Sequence, residues 1–276
     1  MDTTCSDVER HYGRGQILQS IMRALREMQK DISTLSPVDL ALVDEFHTRG
    51  RAATIDLARR AALTPGLKVL DIGCGLGGSA RYLVSEHGCQ VTGIDLTKEY
   101  VDAASAIAAL VGMKSLVAFH QASALNLPFP DGSFDVVWTE HVQMNIADKR
   151  AFYGQIARVL TPRGRLLFHD VFQGPGGALH YPVPWAEDAS ISFLDTPETV
   201  RNILEGLGFS VRDWEDTSQM SREWFVTRLA ALDAAGPSPL GSHLLMGETA
   251  GHKIENNVRN LRERRSVVVQ GVVEKA

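Results

Sequence analysis

The apolar pair Val69-Leu70 ends in Asp71, and Gly73, Gly75, Gly77 and Gly78 follow before a helical pattern begins at Ala80. A buried strand feeding a tight turn into a helix reads this way. Without Cβ atoms the backbone turns through positive φ and lets a ligand approach the main chain closely, while the N–H groups opening the helix carry the positive end of its dipole. A chain with this turn is constrained to an open α/β sheet with ligands beyond the carboxyl ends of its strands.

The remaining pattern extends that sheet. Strands are expected at Lys68 to Asp71, Gln90 to Asp95, Leu116 to Gln121, Phe134 to Trp138 and Gly164 to Val171, with helices near Ser79 to Glu86, Lys98 to Leu110 and Lys149 to Leu160. Alternating strands and helices imply right-handed crossovers and a mostly parallel sheet covered on both faces. Ahead of the turn, Ile17, Leu18, Ile21, Met22, Leu25 and Met28 recur at helical spacing, Val38 to Phe46 continue in that style, and Arg51 to Ala62 make a further helix. Behind it, a helix at Pro197 to Leu207 and a strand at Phe209 to Trp214 precede a helical stretch from Ser221 to Arg264 and a final strand at Ser266 to Val273. Within that stretch, the Leu229 to Leu232 face and the Ile254, Val258, Leu261 spacing are expected to pack as core.

Two cofactor patterns fit the turn. Gly73, Gly75 and Gly78 match the dinucleotide pattern G-x-G-x-x-G, with Asp95 roughly where a ribose-binding acid is expected. Asp71, Gly73, Gly75 and Gly77 equally match D-x-G-x-G-x-G of S-adenosylmethionine (SAM) enzymes. Two further signals bear on the choice: Leu127-Pro128-Phe129-Pro130-Asp131-Gly132-Ser133-Phe134-Asp135 and Leu160-Thr161-Pro162-Arg163-Gly164. They resemble the entries to the fourth and fifth strands of class I SAM-dependent methyltransferases. With Val43 to His47 and Leu76 to Leu83, the chain is similar to the small-molecule group, near the sarcosine/dimethylglycine N-methyltransferases and the ubiquinone/sterol methyltransferase-like enzymes.

The resemblance implies a Rossmann-like, seven-stranded, mostly parallel α/β sheet with helices on both faces, an antiparallel last strand and a helical cap. It divides the chain into a cap (residues 1–62), a SAM-binding core (63–217), a helical lid insertion (218–265) and a final core strand (266–276). The expected activity is methyl transfer from SAM, leaving S-adenosylhomocysteine, to N, O or C of a small organic metabolite. Glycine-derived amines, or a carbon of an isoprenoid or other natural product, are the alternatives; outside that class lies a non-catalytic SAM- or NAD-binding protein.

Asp71, Gly73, Cys74, Gly75, Gly77, Asp95, Leu96, Ser123 and Ala124 are the expected cofactor contacts. A carboxylate accepts from both ribose hydroxyls at once, which singles out Asp95. His141 is the leading base, since its ordinary pKa lies near neutrality, with Glu140 and His169 as further catalytic candidates. Tyr12, His47, Asn145, His180, Tyr181 and Trp185 are expected around the acceptor. His141 and Asn145 stand where related amine methyltransferases tend to carry an aspartate and a histidine, which removes a partner for a cationic amine.

A formal charge of -5 offers no electrostatic reason to bind nucleic acid, and no Asp/Asn-Pro-Pro-aromatic motif follows the fourth strand. Met1 to Asp7 shows no basic-then-apolar segment, and no apolar run approaches a membrane span. A cytoplasmic protein with no membrane partner is expected, with a possible homodimer. Cys5, Cys74 and Cys89 are widely separated, giving neither a disulfide framework nor metal-ligand spacing.

Overall fold

The computed structural model describes residues 3–13, 15–236 and 238–276, and side chains for all of these except Thr3, Thr4, Leu232, Asp233 and Ala235. Seven strands form one sheet: β1 (Lys68–Ile72), β2 (Gln90–Asp95), β3 (Val117–Gln121), β4 (Phe134–Glu140), β5 (Leu160–Gln173), β6 (Phe209–Asp216) and β7 (Ser266–Lys275). Their order is β3-β2-β1-β4-β5-β7-β6. The first five are parallel, and β7 runs antiparallel between β5 and the edge strand β6. The order reverses between β1 and β4, and that switch point opens the crevice where such sheets bind ligands.

Side chains that alternate along each strand build two cores. Leu70, Ile72 and Val137 pack with Phe152, Ile156 and Val159 of α7 (Lys149–Val159) and with Val200 and Leu204 of α8 (Pro197–Gly206). Val69, Val136 and Trp138 pack on the opposite face with Leu57 and Ala58 of α4 (Arg51–Arg60) and Leu83 of α5 (Gly78–His87). The apolar run of β1 is therefore continuous in sequence because both faces are buried.

A third core joins the N-terminal helices to the sheet. Ile17, Ile21 and Leu25 of α2 (Ile17–Glu27) and Leu40 and Val43 of α3 (Pro37–Asp44) pack on Tyr100, Ala103 and Ile107 of α6 (Lys98–Leu110). No local side chain caps α2. Instead the Glu99 carboxylate accepts from the N–H groups of Gly15 and Ile17, both at 2.7 Å, placing negative charge at the positive helix end.

The helix α1 (Thr3–Tyr12) falls outside the periodic pattern expected from Ile17 onward. Cys5, Val8 and Tyr12 follow i, i+3, i+7 spacing, so a short signal existed. The expected continuous stretch from Ser221 to Arg264 is three helices, α9 (Ser218–Ala235), α10 (His243–Met246) and α11 (Ala250–Arg262). Leu261 is core with Phe225 and Val268, and Ile254 and Val258 pack against them. Leu229 instead stays 36% exposed, and the Leu232 side chain lies outside the described residues.

Candidate active site

The glycine turn locks against the segment after β4. Gly73 has φ +70°, and a Cβ there would stand 2.4 Å from Val142 Cγ2. Left-handed backbone costs an L-residue about 1–2 kcal/mol and overpacking about 1–3 more. Gly73→Ala is expected to lower stability by about 3 kcal/mol by those two effects, measured by urea unfolding. Adding Val142→Ala should recover the steric part alone; a single variant as stable as the parent would reject this packing. Gly75, at φ +52°, has nothing within 4 Å of its Cβ position, so its outer face is open to a ligand.

A cavity of about 230 Å³ lies over this turn. Asp71, Gly73, Cys74, Gly75, Asp95, Leu96, Ser123 and Ala124 line it, together with Tyr12, His47, Glu140, His141, Asn145 and Trp185. Gly77 is absent from the lining and precedes α5 in left-handed conformation. His169 is fully buried behind His141, their rings stacked with centroids 5.2 Å apart. His180 and Tyr181 line no described cavity: His180 pairs with Glu263 at 2.8 Å, and Tyr181 packs beside Trp185 and Val183. That loop reaches the cavity through Pro184 and Trp185 instead.

Carboxylates dominate the charged lining of this cavity. Asp44, Asp71, Asp95, Glu140 and Asp148 line it, and among the described residues no lysine or arginine does. Of the five only Asp44 is paired with an arginine, Arg81, which lies behind the wall. Burial, then the nearby Glu140 and Asp95, raises the Asp71 pKa well above the carboxylate range, and its Oδ2 is buried with no partner in the protein. Burial also raises Asp95 against the N–H groups of Thr97 and Gly75, which donate to its two oxygens at 2.8 and 3.0 Å. Each oxygen keeps a further lone pair. A ligand bearing positive charge relieves such crowding; a pyrophosphate adds to it.

Glu140 is held by several donors. Ser79 Oγ at 2.5 Å and Trp138 Nε1 at 2.9 Å donate to its Oε2, the Thr54 hydroxyl lies 3.2 Å from both oxygens, and His47 Nε2 is 3.3 Å from Oε1. A carboxylate so occupied anchors α4 and α5 to β4.

His141 has the opposite character. It sits at φ +54°, donates its N–H to the His169 carbonyl at 2.8 Å, and has a buried Nε2 with no partner in the protein. Asp170 fixes this turn by accepting from the N–H groups of Val142 and Gln143, both at 3.0 Å. Burial, then His169 and His47, drives the His141 pKa well below 6.5. The imidazole is therefore neutral at neutral pH, and its Nε2 has no hydrogen-bond partner in the protein.

The N-terminal helix closes one wall. Tyr12 Oη donates to Asn145 Oδ1 at 3.0 Å, and Asn145 Nδ2 donates to the carbonyls of Trp185 and Ile191 at 3.0 and 2.8 Å. Asn145 therefore ties α1 to the loop after β5.

A second cavity of about 300 Å³ shares Phe46, His47, His141, Pro184 and Trp185 with the first. Its other walls include Leu42, Arg49, Trp224, Phe225, Arg228, Leu229 and Met246; of these, Leu42 belonged to the helical pattern from Val38 to Phe46 and Leu229 to a face expected as core, and none was expected at a site. Among the described residues no group of three or more His, Cys, Asp or Glu side chains is arranged to hold a metal ion, and no helix is long and apolar enough to cross a membrane.

Residues 70–168 match the family model described as a methyltransferase domain. Over 100 residues the chain is 40% identical to the chloroplastic tocopherol O-methyltransferase of Arabidopsis thaliana, covering 36% of this chain and 29% of that protein. Over 181 residues it is 29% identical to the glycine/sarcosine/dimethylglycine N-methyltransferase of Actinopolyspora halophila, covering 66% and 31%. The chain thus spans about a third of the length of these relatives. Geranyl diphosphate C-methyltransferase from Streptomyces coelicolor A3(2) shares its fold with a TM-score of 0.72 and 16% identity, over 99% of this chain and 98% of that one. Residues 70–168 therefore match the methyltransferase-domain family, and the chain around them has the fold of this C-methyltransferase.

Proposed function

We propose that this protein is a SAM-dependent methyltransferase that methylates a small organic acceptor. One observation carries the reading: the cavity over the glycine turn is lined by five carboxylates and, among the described residues, by no lysine or arginine. SAM brings a sulfonium and an ammonium to such a site, whereas NAD brings two phosphate charges.

Asp95 would hold the ribose, Leu96, Ser123 and Ala124 the adenine edge, and Asp71 with Gly73 and Gly75 the methionine end. Bound there, the cofactor supplies an electrophilic methyl carbon whose bond to sulfur breaks as the acceptor atom bonds to it, leaving the electron pair on neutral sulfur. The protein's part is to position the acceptor in line, exclude water and, where the acceptor carries a proton, accept it at His141 Nε2. His169 backs that ring, and Glu140 fixes the cap helices beside it. Residues 1–62 and 218–265 then serve as cap and lid over a core of residues 63–217 and 266–276. The free thiols of Cys5, Cys74 and Cys89 support a reducing compartment, the cytoplasm.

Calorimetry with SAM, S-adenosylhomocysteine and NAD tests the cofactor. SAM and its product are expected to bind and NAD to give no heat; NAD binding in competition with SAM would reject the reading. Asp95→Ala removes charged hydrogen-bond acceptors worth about 3 kcal/mol together, so SAM affinity is expected to fall roughly a hundredfold. Unchanged affinity would remove the ribose role.

A further inference from the structure

The two cavities meet at His141 and differ in charge. The first collects carboxylates, whereas the second carries Arg49, Arg51 and Arg228 with Glu45 as its one carboxylate among the described residues. Arg51 is engaged by Glu45 at 3.1 Å. Arg49 is buried, at φ +70°, a conformation L-residues rarely adopt. Its Nη2 pairs with Asp56, while its Nη1 is buried and has no partner in the protein. Arg228 lies over the Trp224 ring, 5.3 Å from its centroid, with no carboxylate within ion-pairing distance among the described residues.

The remaining wall is apolar. Trp224, Phe225, Met246 and Trp185 line it, and Leu42 and Leu229 stay 43% and 36% exposed at the same cavity. Exposed apolar surface beside a concave wall marks a binding site, and a buried guanidinium arm without a partner calls for an anion.

We propose that the second cavity is the acceptor site and that the acceptor is an apolar organic carboxylate, its body against Trp224 and Phe225 and its acid group held by Arg49 with Arg228. This deepens the methyltransferase reading and rests on it. The acceptor's nucleophilic atom reaches the first cavity past His141, the wall common to both. The charge division orients the two ligands: a cationic cofactor and an anionic acceptor each enter the cavity of opposite sign.

The test is calorimetry on the full chain saturated with S-adenosylhomocysteine, using 2-naphthoate with 2-naphthamide and decanoate with decanamide. Within each pair the shape is nearly constant and the charge differs. Each acid is expected to bind about tenfold more tightly than its amide at low salt, as a charge-assisted contact to a buried arginine requires. Arg49→Met should erase that preference with S-adenosylhomocysteine affinity unchanged. Because Arg49→Met could unfold the chain, Arg228→Gln at the more open wall is the second variant, with an expected loss of about threefold. Amides binding as tightly as acids, no binding by either acid, or a preference that survives both variants overturns the proposal. Failure of the parent to bind S-adenosylhomocysteine, read before any probe is added, overturns the cofactor reading and this proposal with it.

Discussion

Asp44→Ala is expected to cost about 3–5 kcal/mol of stability, because it strands a buried guanidinium. Arg81 is 0% exposed; one nitrogen pairs with Asp44 and Nη1 donates to the Leu76 carbonyl at 2.7 Å, while its Nε has no partner. Two ions buried from water are tolerated only as a pair, so the loss of one leaves an uncompensated charge inside α5 and the end of α3. Leu76 lies within the glycine turn, so the damage reaches the cofactor wall. In a domain of this size the change corresponds to a fall in Tm of about 10 °C. Asp44→Leu combined with Arg81→Met removes both charges and should recover most of the loss. A double variant no more stable than Asp44→Ala would show that the pair stabilises by attraction, not by mutual compensation.

His141→Ala should lower kcat by about 10²–10⁴-fold for an acceptor that must lose a proton, with S-adenosylhomocysteine affinity within twofold of the parent. On the proposed reading this neutral ring, which borders both cavities and whose buried Nε2 has no partner in the protein, serves as the base. The pH dependence gives the independent readout. A base acts when deprotonated, and the folded pKa of His141 is held well below 6.5, first by burial and then by His169 and His47. Activity from this group is therefore complete at neutral pH and lost only as pH falls below 6.5 toward the depressed pKa. The parent's acid limb in kcat/KM should lie there and vanish in His141→Ala. A limb near pH 7 that persists in the variant would assign the proton to another group, and equal turnover would leave His141 a scaffold residue.

Much of the fold was legible because local chemistry and tertiary environment agree. β2 spans Gln90–Asp95 and α6 spans Lys98–Leu110, as hydrophobic pattern and Pro/Gly punctuation indicated. β5 begins at Leu160, earlier than expected, because Leu160 already pairs with Phe134; the Thr161-Pro162-Arg163-Gly164 segment bulges out as a turn, with Arg163 at φ +62°, and pairing resumes at Arg165 opposite Val136. α1 was missed because three apolar residues in ten carry a faint period, and its docking depends on Tyr12 meeting Asn145, 133 positions away.

The sequence by itself determined the open α/β sheet, the glycine turn and the carboxylates at strand ends, since these follow from backbone freedom, burial on two faces and residue order. Only the tertiary structure decided what those side chains face. It gathered Asp44, Asp71, Asp95, Glu140 and Asp148 around one cavity and Arg49 and Arg228 around its neighbour, engaged Glu140 with the cap, and left His141 Nε2 bare. Charge and hydrogen bonding in a cleft depend on distances between elements far apart in the chain, and no local pattern encodes those distances.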